Sequence, residues 1–148
     1  MGEVVGFLEG RGVDGAGRDV ATVLAFGLGA LERHHDYIQW LFPLPEPSRA
    51  VPDAPVLTAE DIAAIRDSAA AQASLTAGAA RMTWFYDATD HWLVASDHNH
   101  LRITRIIRSL RLLVGAGPAN AFRAARLERV ARARAPVSEV ALAHWRRA

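Results

Sequence analysis

Five of the seven prolines fall within residues 43–57, PLPEPSRAVPDAPVL. No helix or strand can run through that stretch, because each ring fixes φ and removes a backbone donor. The chain must build its regular structure on either side of it, and a rigid extended connector is expected between. Upstream, from Arg18 to Phe42, the residues Val20, Val23, Leu24, Leu31, Ile38, Leu41 and Phe42 recur at about 100° per residue, the period of one helical face. That spacing predicts a single helix over 18–42, ended by Pro43. The glycine-rich residues before it are expected to form loop or short structure, with Phe7 and Leu8 as anchors.

Downstream, Thr58 and Asp61 have the spacing of a helix-start capping arrangement, and Ile62 and Ile65 begin an apolar stripe. Beyond Asp67 the stripe changes phase. Leu75, Ala79, Met82 and Tyr86 share a different face, which puts a break near Ser68. Gly78 is a weak point inside that second helix. Residues 87–97 read as a polar loop holding Trp92 and Leu93. A strongly amphipathic helix follows, with Ile103, Ile106, Ile107, Leu110, Leu113 and Val114 inward and Asp97 or Asn99 as its cap. GAGP (115–118) stops it, and Pro118 suits the first turn of the next helix, which runs to about Arg134. Ser138 caps a short last helix ending near Trp145. No segment alternates with period two. The expected fold is all-α, a compact bundle of about five to six helices forming one domain over 1–148.

Charge and composition narrow the function classes. With no cysteine, disulfides, thiolate metal sites and cysteine nucleophiles are excluded. All 17 basic residues are arginine and alanine is abundant, the composition a GC-rich genome writes, so a bacterial source is expected. Residues 1–101 hold 6 arginines against 14 acids, and residues 102–148 hold 11 against 2. The acidic and basic parts are expected to fold together and neutralise one another. No apolar run is long enough to span a bilayer and no secretion signal opens the chain, so a cytoplasmic location is expected. Serine-hydrolase, phosphate-loop and paired-glycine dinucleotide motifs are absent.

Two blocks point to a family. LERHHDYIQWLFPLPEPS (31–48), followed by APVLTAED (54–61), resembles the central signature of the opioid growth factor receptor conserved region, and DHNHLRITRIIRSLRLLVG (97–115) resembles its second signature. Weaker agreement runs through FLEGRGVDGAGRD (7–19), RMTWFYD (81–87) and SEVALAHWRRA (138–148). The resemblance implies a receptor-like binding protein; vertebrate members are described as receptors for an enkephalin-type peptide. It carries over no catalytic residue.

Read bottom-up, Glu32, His35, Asp36, Gln39 and Trp40 fall on or beside one flank of the 18–42 helix, with His35 nearest the core and able to bond Gln39 or Glu32. Arg102 and Arg105, with His98, line the apolar stripe of the 98–114 helix. Arginine beside a core needs a carboxylate partner, and Glu32 and Asp36 are the expected ones. The same groups, with Asn99 and His100 at a positively polarised helix start, suit a peptide or small anionic ligand held between helices 18–42 and 98–114. Tyr37, Trp40, Trp84 and Trp92 are expected to wall such a pocket. The leading expectation is therefore a non-enzymatic binding module without a cofactor. A metal-dependent alternative uses the Glu32-x-x-His35 spacing together with His98 and His100, and a structural or oligomerisation module is the third reading. Arg123, Arg126, Arg129, Arg132 and Arg134 spread around one late helix with no nucleic-acid motif beside them, so nucleic acid is not an expected partner; homo-oligomerisation is left open.

Overall fold

The computed structural model describes residues 2–148 and is all-helical, with no strand among them. The elements are α1 (Glu3–Leu8), α2 (Val20–Leu24), α3 (Leu28–Arg33), α4 (Ile38–Leu41), α5 (Ala59–Asp67), α6 (Ala69–Ala88), α7 (His98–Leu113), α8 (Ala116–Ala133) and α9 (Glu139–Arg147). This is more than the five or six expected, and the excess lies upstream of the prolines. The chain packs as two compact units that divide after Arg81, within α6.

In the first unit the helix expected over 18–42 is three short helices, and the reason lies in carbonyl partners. Two breaks leave backbone oxygens exposed at helix ends. Arg81 donates through Nε and Nη2 to the Phe26 carbonyl at 3.0 and 2.7 Å. The Tyr37 hydroxyl donates to the Leu31 carbonyl at 2.6 Å. Gly27 and His34, both extended, mark the start and end of α3. The apolar positions that suggested one helix are nevertheless buried, Leu24 excepted. Burying each large aliphatic or aromatic side chain contributes about 2 kcal/mol, enough to hold short helices that would not persist alone.

α1 packs on α4 and α5. Thr58 and Asp61 form a reciprocal capping box on α5, and Asp61 also accepts from the Gly2 backbone at 2.6 Å. These bonds outweigh its burial and hold its carboxyl below the usual range. Ser68 ends α5 and starts α6, accepting from the Ala71 N–H and donating to Glu9. The proline-rich stretch is not an extended spacer. Leu44 and Leu57 are both buried, and the Leu57 N–H closes the loop onto the Leu44 carbonyl at 3.0 Å. Nor is Gly78 a weak point: a β-carbon there would lie 3.0 Å from Leu41, so the missing side chain is what lets the Leu41 side chain approach α6.

In the second unit α7 packs against α8 and α9, which also touch. Asp97 caps α7, Ser138 caps α9, and the expected inner face of α7 is buried except for half-buried Val114. Gly115, at φ 151°, opens α8 in a conformation other residues resist.

Gly78→Ala should lower stability by about 1–2 kcal/mol despite alanine's better helix propensity, because the overpacking exceeds the gain. In a Leu41→Ala background the same change should stabilise. Urea midpoints of the four proteins measure this; a stabilising effect in both backgrounds contradicts the close approach.

Candidate functional site

Within the first unit the expected acidic cluster is rearranged. The helix ends at Arg33, so Glu32 lies on α3, His35 and Asp36 in the link, and Gln39 and Trp40 on α4. Glu32-x-x-His35 is therefore not a helical pair. His35 is exposed rather than nearest the core; its neighbour His34 stacks on Phe26 at 5.3 Å. Gln39 is buried and its Oε1 accepts no hydrogen bond, so the expected His35–Gln39 bond is not made. Asp36 has a partner that sequence reasoning missed. Arg18 donates to it at 2.7 Å through Nη2 and to Asp14 at 2.7 Å through Nε. Asp14, buried, also accepts the N–H groups of Ala16 and Arg18. Burial alone would raise the Asp36 pKa, but the Arg18 hydrogen bond and charge outweigh it and bring it below the usual carboxylate range. Arg18 is raised by the same two acids against its own desolvation. The Asp14-x-x-x-Arg18 spacing was the available signal.

Within the second unit the DHNH start of α7 is a set of hydrogen bonds with one group left over. Asn99, fully buried, accepts from the Tyr86 hydroxyl at 3.1 Å and donates to Asp97 at 2.9 Å. His100 meets the Trp92 carbonyl through Nε2 at 2.8 Å. A carbonyl can only accept, so Nε2 carries a proton, and when the ring is neutral Nδ1 is the acceptor. Trp145 donates to the His100 carbonyl at 3.0 Å and packs edge-on to its ring. The four expected pocket rings are dispersed: Tyr37 and Trp92 are fully buried, Trp84 is partly exposed, and Trp40 lines a cavity in the first unit.

Beside this knot a groove of about 350 Å³ runs between the first turns of α7 and α9. His98, His100, Leu101, Thr104, Val140 and His144 supply its main walls. Leu101 and Val140 are 74% and 69% exposed, large apolar groups left in water beside imidazoles. His144 was not foreseen. Arg102 is buried and Arg105 half-buried, and both are engaged. Arg126, also unforeseen, is fully buried against the rings of Phe122 and Tyr86. Only its Nη2 is bonded, to Asp87 at 3.1 Å, and its Nε and Nη1 have no acceptor. Desolvation pulls its pKa down, with Asp87 opposing. Among the described residues no three histidine, aspartate or glutamate side chains are placed to hold a metal ion, and no helix is long and apolar enough to cross a membrane.

Comparison with known proteins meets this geometry at its first block. Residues 25–92 match the opioid growth factor receptor (OGFr) conserved region. The chain is 35% identical over 98 aligned residues to the opioid growth factor receptor of Rattus norvegicus and, equally, to that of Mus musculus. The match covers 54% of this chain but 17% and 15% of those proteins, so the chain spans less than a fifth of these relatives. No solved structure matches. The second block, from Asp97, lies outside the residues 25–92 that match the conserved region.

Asp36→Asn should lower the melting temperature at pH 7. Because the folded pKa of Asp36 is depressed, its contribution is complete above the unfolded value of about 3.9 and is lost as pH falls through the lower folded one. The gap between wild type and variant should thus close below about pH 4; a gap constant with pH contradicts the ion pair. For Arg126, exchange for methionine should leave stability unchanged or raise it, since two buried donors go unbonded. Asp87→Asn should lower it by about 1 kcal/mol. Thermal melts of both variants decide, and a large loss in Arg126→Met contradicts this reading.

Proposed function

We propose that the chain is a non-enzymatic binding module whose ligand is a short acidic peptide, taken up in the groove between α7 and α9. One observation carries the reading: His100 lines the groove with its ring fixed by the Trp92 carbonyl and an unshared acceptor nitrogen remaining. A bare acceptor calls for an N–H donor, which a peptide backbone supplies at every residue. Leu101 and Val140 offer contact for apolar side chains on either side. The surrounding unit favours acidic ligands, with 11 arginines against 5 acids from Met82 onward. The relatives' name, receptor for an opioid growth factor, supports a peptide as the ligand class.

Isothermal titration calorimetry with short acidic peptides carrying one large apolar residue tests this. Leu101→Asp, at an exposed site, should keep the fold and weaken binding about tenfold or more, roughly 1.4 kcal/mol. Equal affinity in wild type and variant, or no heat with any peptide, overturns it. Arg102→Ala is the poorer probe, because Arg102 is buried and its loss tests the fold.

A further inference from the structure

Among the described residues of the first unit, the large apolar side chains left in water are Val13 and Val56. Val13 stands two residues from the exposed Arg11 side chain. Val56, 45% exposed, lies instead between two exposed acids, Asp53 and Glu60, in a segment (52–60) that holds no basic residue. The fold braces this edge. Ala54 and Leu57 are buried on either side of Val56. The Ala54 N–H donates to the Val51 carbonyl and the Leu57 N–H to the Leu44 carbonyl, each at 3.0 Å. Pro52 and Pro55 fix φ within the segment, and the Thr58–Asp61 capping box closes its far end. Val56 is thus held outward in advance, and little ordering entropy opposes a contact made there.

The groove between α7 and α9 calls for the same chemistry from its occupant. Its apolar contact is Leu101 and Val140, the most exposed large apolar residues of the second unit. The acids beside it are already engaged: Asp97 caps α7 and accepts from Asn99, and Glu139 lies 3.8 Å from Arg146. Exposed Arg147 follows three residues after His144 on the same side of α9. The wider charge agrees. Met1–Arg81 carries 11 acids against 6 arginines, and Met82–Ala148 carries 5 against 11. An acidic edge with one outward valine on one molecule therefore complements the groove of another in both charge and apolar contact.

We propose that the groove is filled by a second copy of this chain: the 52–60 edge of one molecule seats Val56 against Leu101 and Val140 of another, with Asp53 and Glu60 toward the histidines and Arg147. The inference rests on the peptide reading of the groove and names the chain itself as the source of the acidic segment. Sedimentation velocity of the full chain, from micromolar to millimolar concentration, reads it. The average mass should rise with concentration, with a dissociation constant on the order of 0.1 mM at low salt, and the association should loosen as salt is added. Val56→Asp and Leu101→Asp, both at exposed sites, should each keep the helical content and weaken association about tenfold or more. The first variant retains an intact groove and the second an intact edge, so an equimolar mixture should associate again and stop at one molecule of each. A wild-type chain that stays monomeric throughout overturns the proposal. So does association that survives either substitution, or a mixture that fails to pair. Calorimetry of Val56→Asp with the short acidic peptides separates this inference from the reading beneath it. Peptide binding alongside a monomeric wild type sinks self-association alone, whereas no peptide binding sinks the peptide reading as well.

Discussion

Backbone carbonyls that short helices cannot satisfy are the constraint on which the first unit depends. A four- to six-residue helix leaves most of its oxygens without an internal partner, and an unsatisfied buried carbonyl is costly. Here side chains remote in sequence supply the missing donors. Ser74 reaches the Leu8 carbonyl at 2.6 Å, Arg81 that of Phe26 and Tyr37 that of Leu31; in the second unit His100 bonds the loop carbonyl of Trp92, and Trp145 bonds the His100 carbonyl. Each bond contributes about 1 kcal/mol net, but its larger effect is positional. It fixes where a helix ends and how the next segment leaves it.

That constraint explains what could be read from the sequence. Long helices with internal bonding were legible: the stripe of α7, the break at Ser68, the caps Thr58, Asp97 and Ser138, and the buried anchors Phe7 and Leu8 all follow from periodicity and local chemistry. The breaks within 18–42 were not, because hydrophobic spacing is the same whether one helix or three bury those residues. The deciding groups, Arg81 and Tyr37, act across the fold or around a turn. Gly78 was misjudged for a related reason. Propensity sees a missing side chain as a weakness, whereas packing against Leu41 requires it.

The candidate sites followed the same pattern. His98 and His100 were legible as chemistry-bearing residues and do share a groove, but Gln39, Asn99 and Arg102, singled out with them, are interior. Asn99 binds Tyr86 and Asp97 so completely that its role in the knot is architectural. His144 gave no signal on its own; its place comes from a surface assembled out of separate segments, which periodicity cannot reveal. Arg18 was signalled by Asp14 four residues before it.

The account of function rests on the tautomer of one ring. If the Trp92 carbonyl fixes Nε2–H, the groove contains a preorganised acceptor, and the peptide reading has a chemical basis. Long-range ¹H–¹⁵N correlation spectra of the histidine side chains, with His100 assigned through His100→Gln, test this most directly. The account expects a protonated Nε2 and a bare Nδ1 at neutral pH, with the Nδ1 resonance moving when an acidic peptide is added. A proton on Nδ1 instead would leave the groove without that acceptor and contradict the reading.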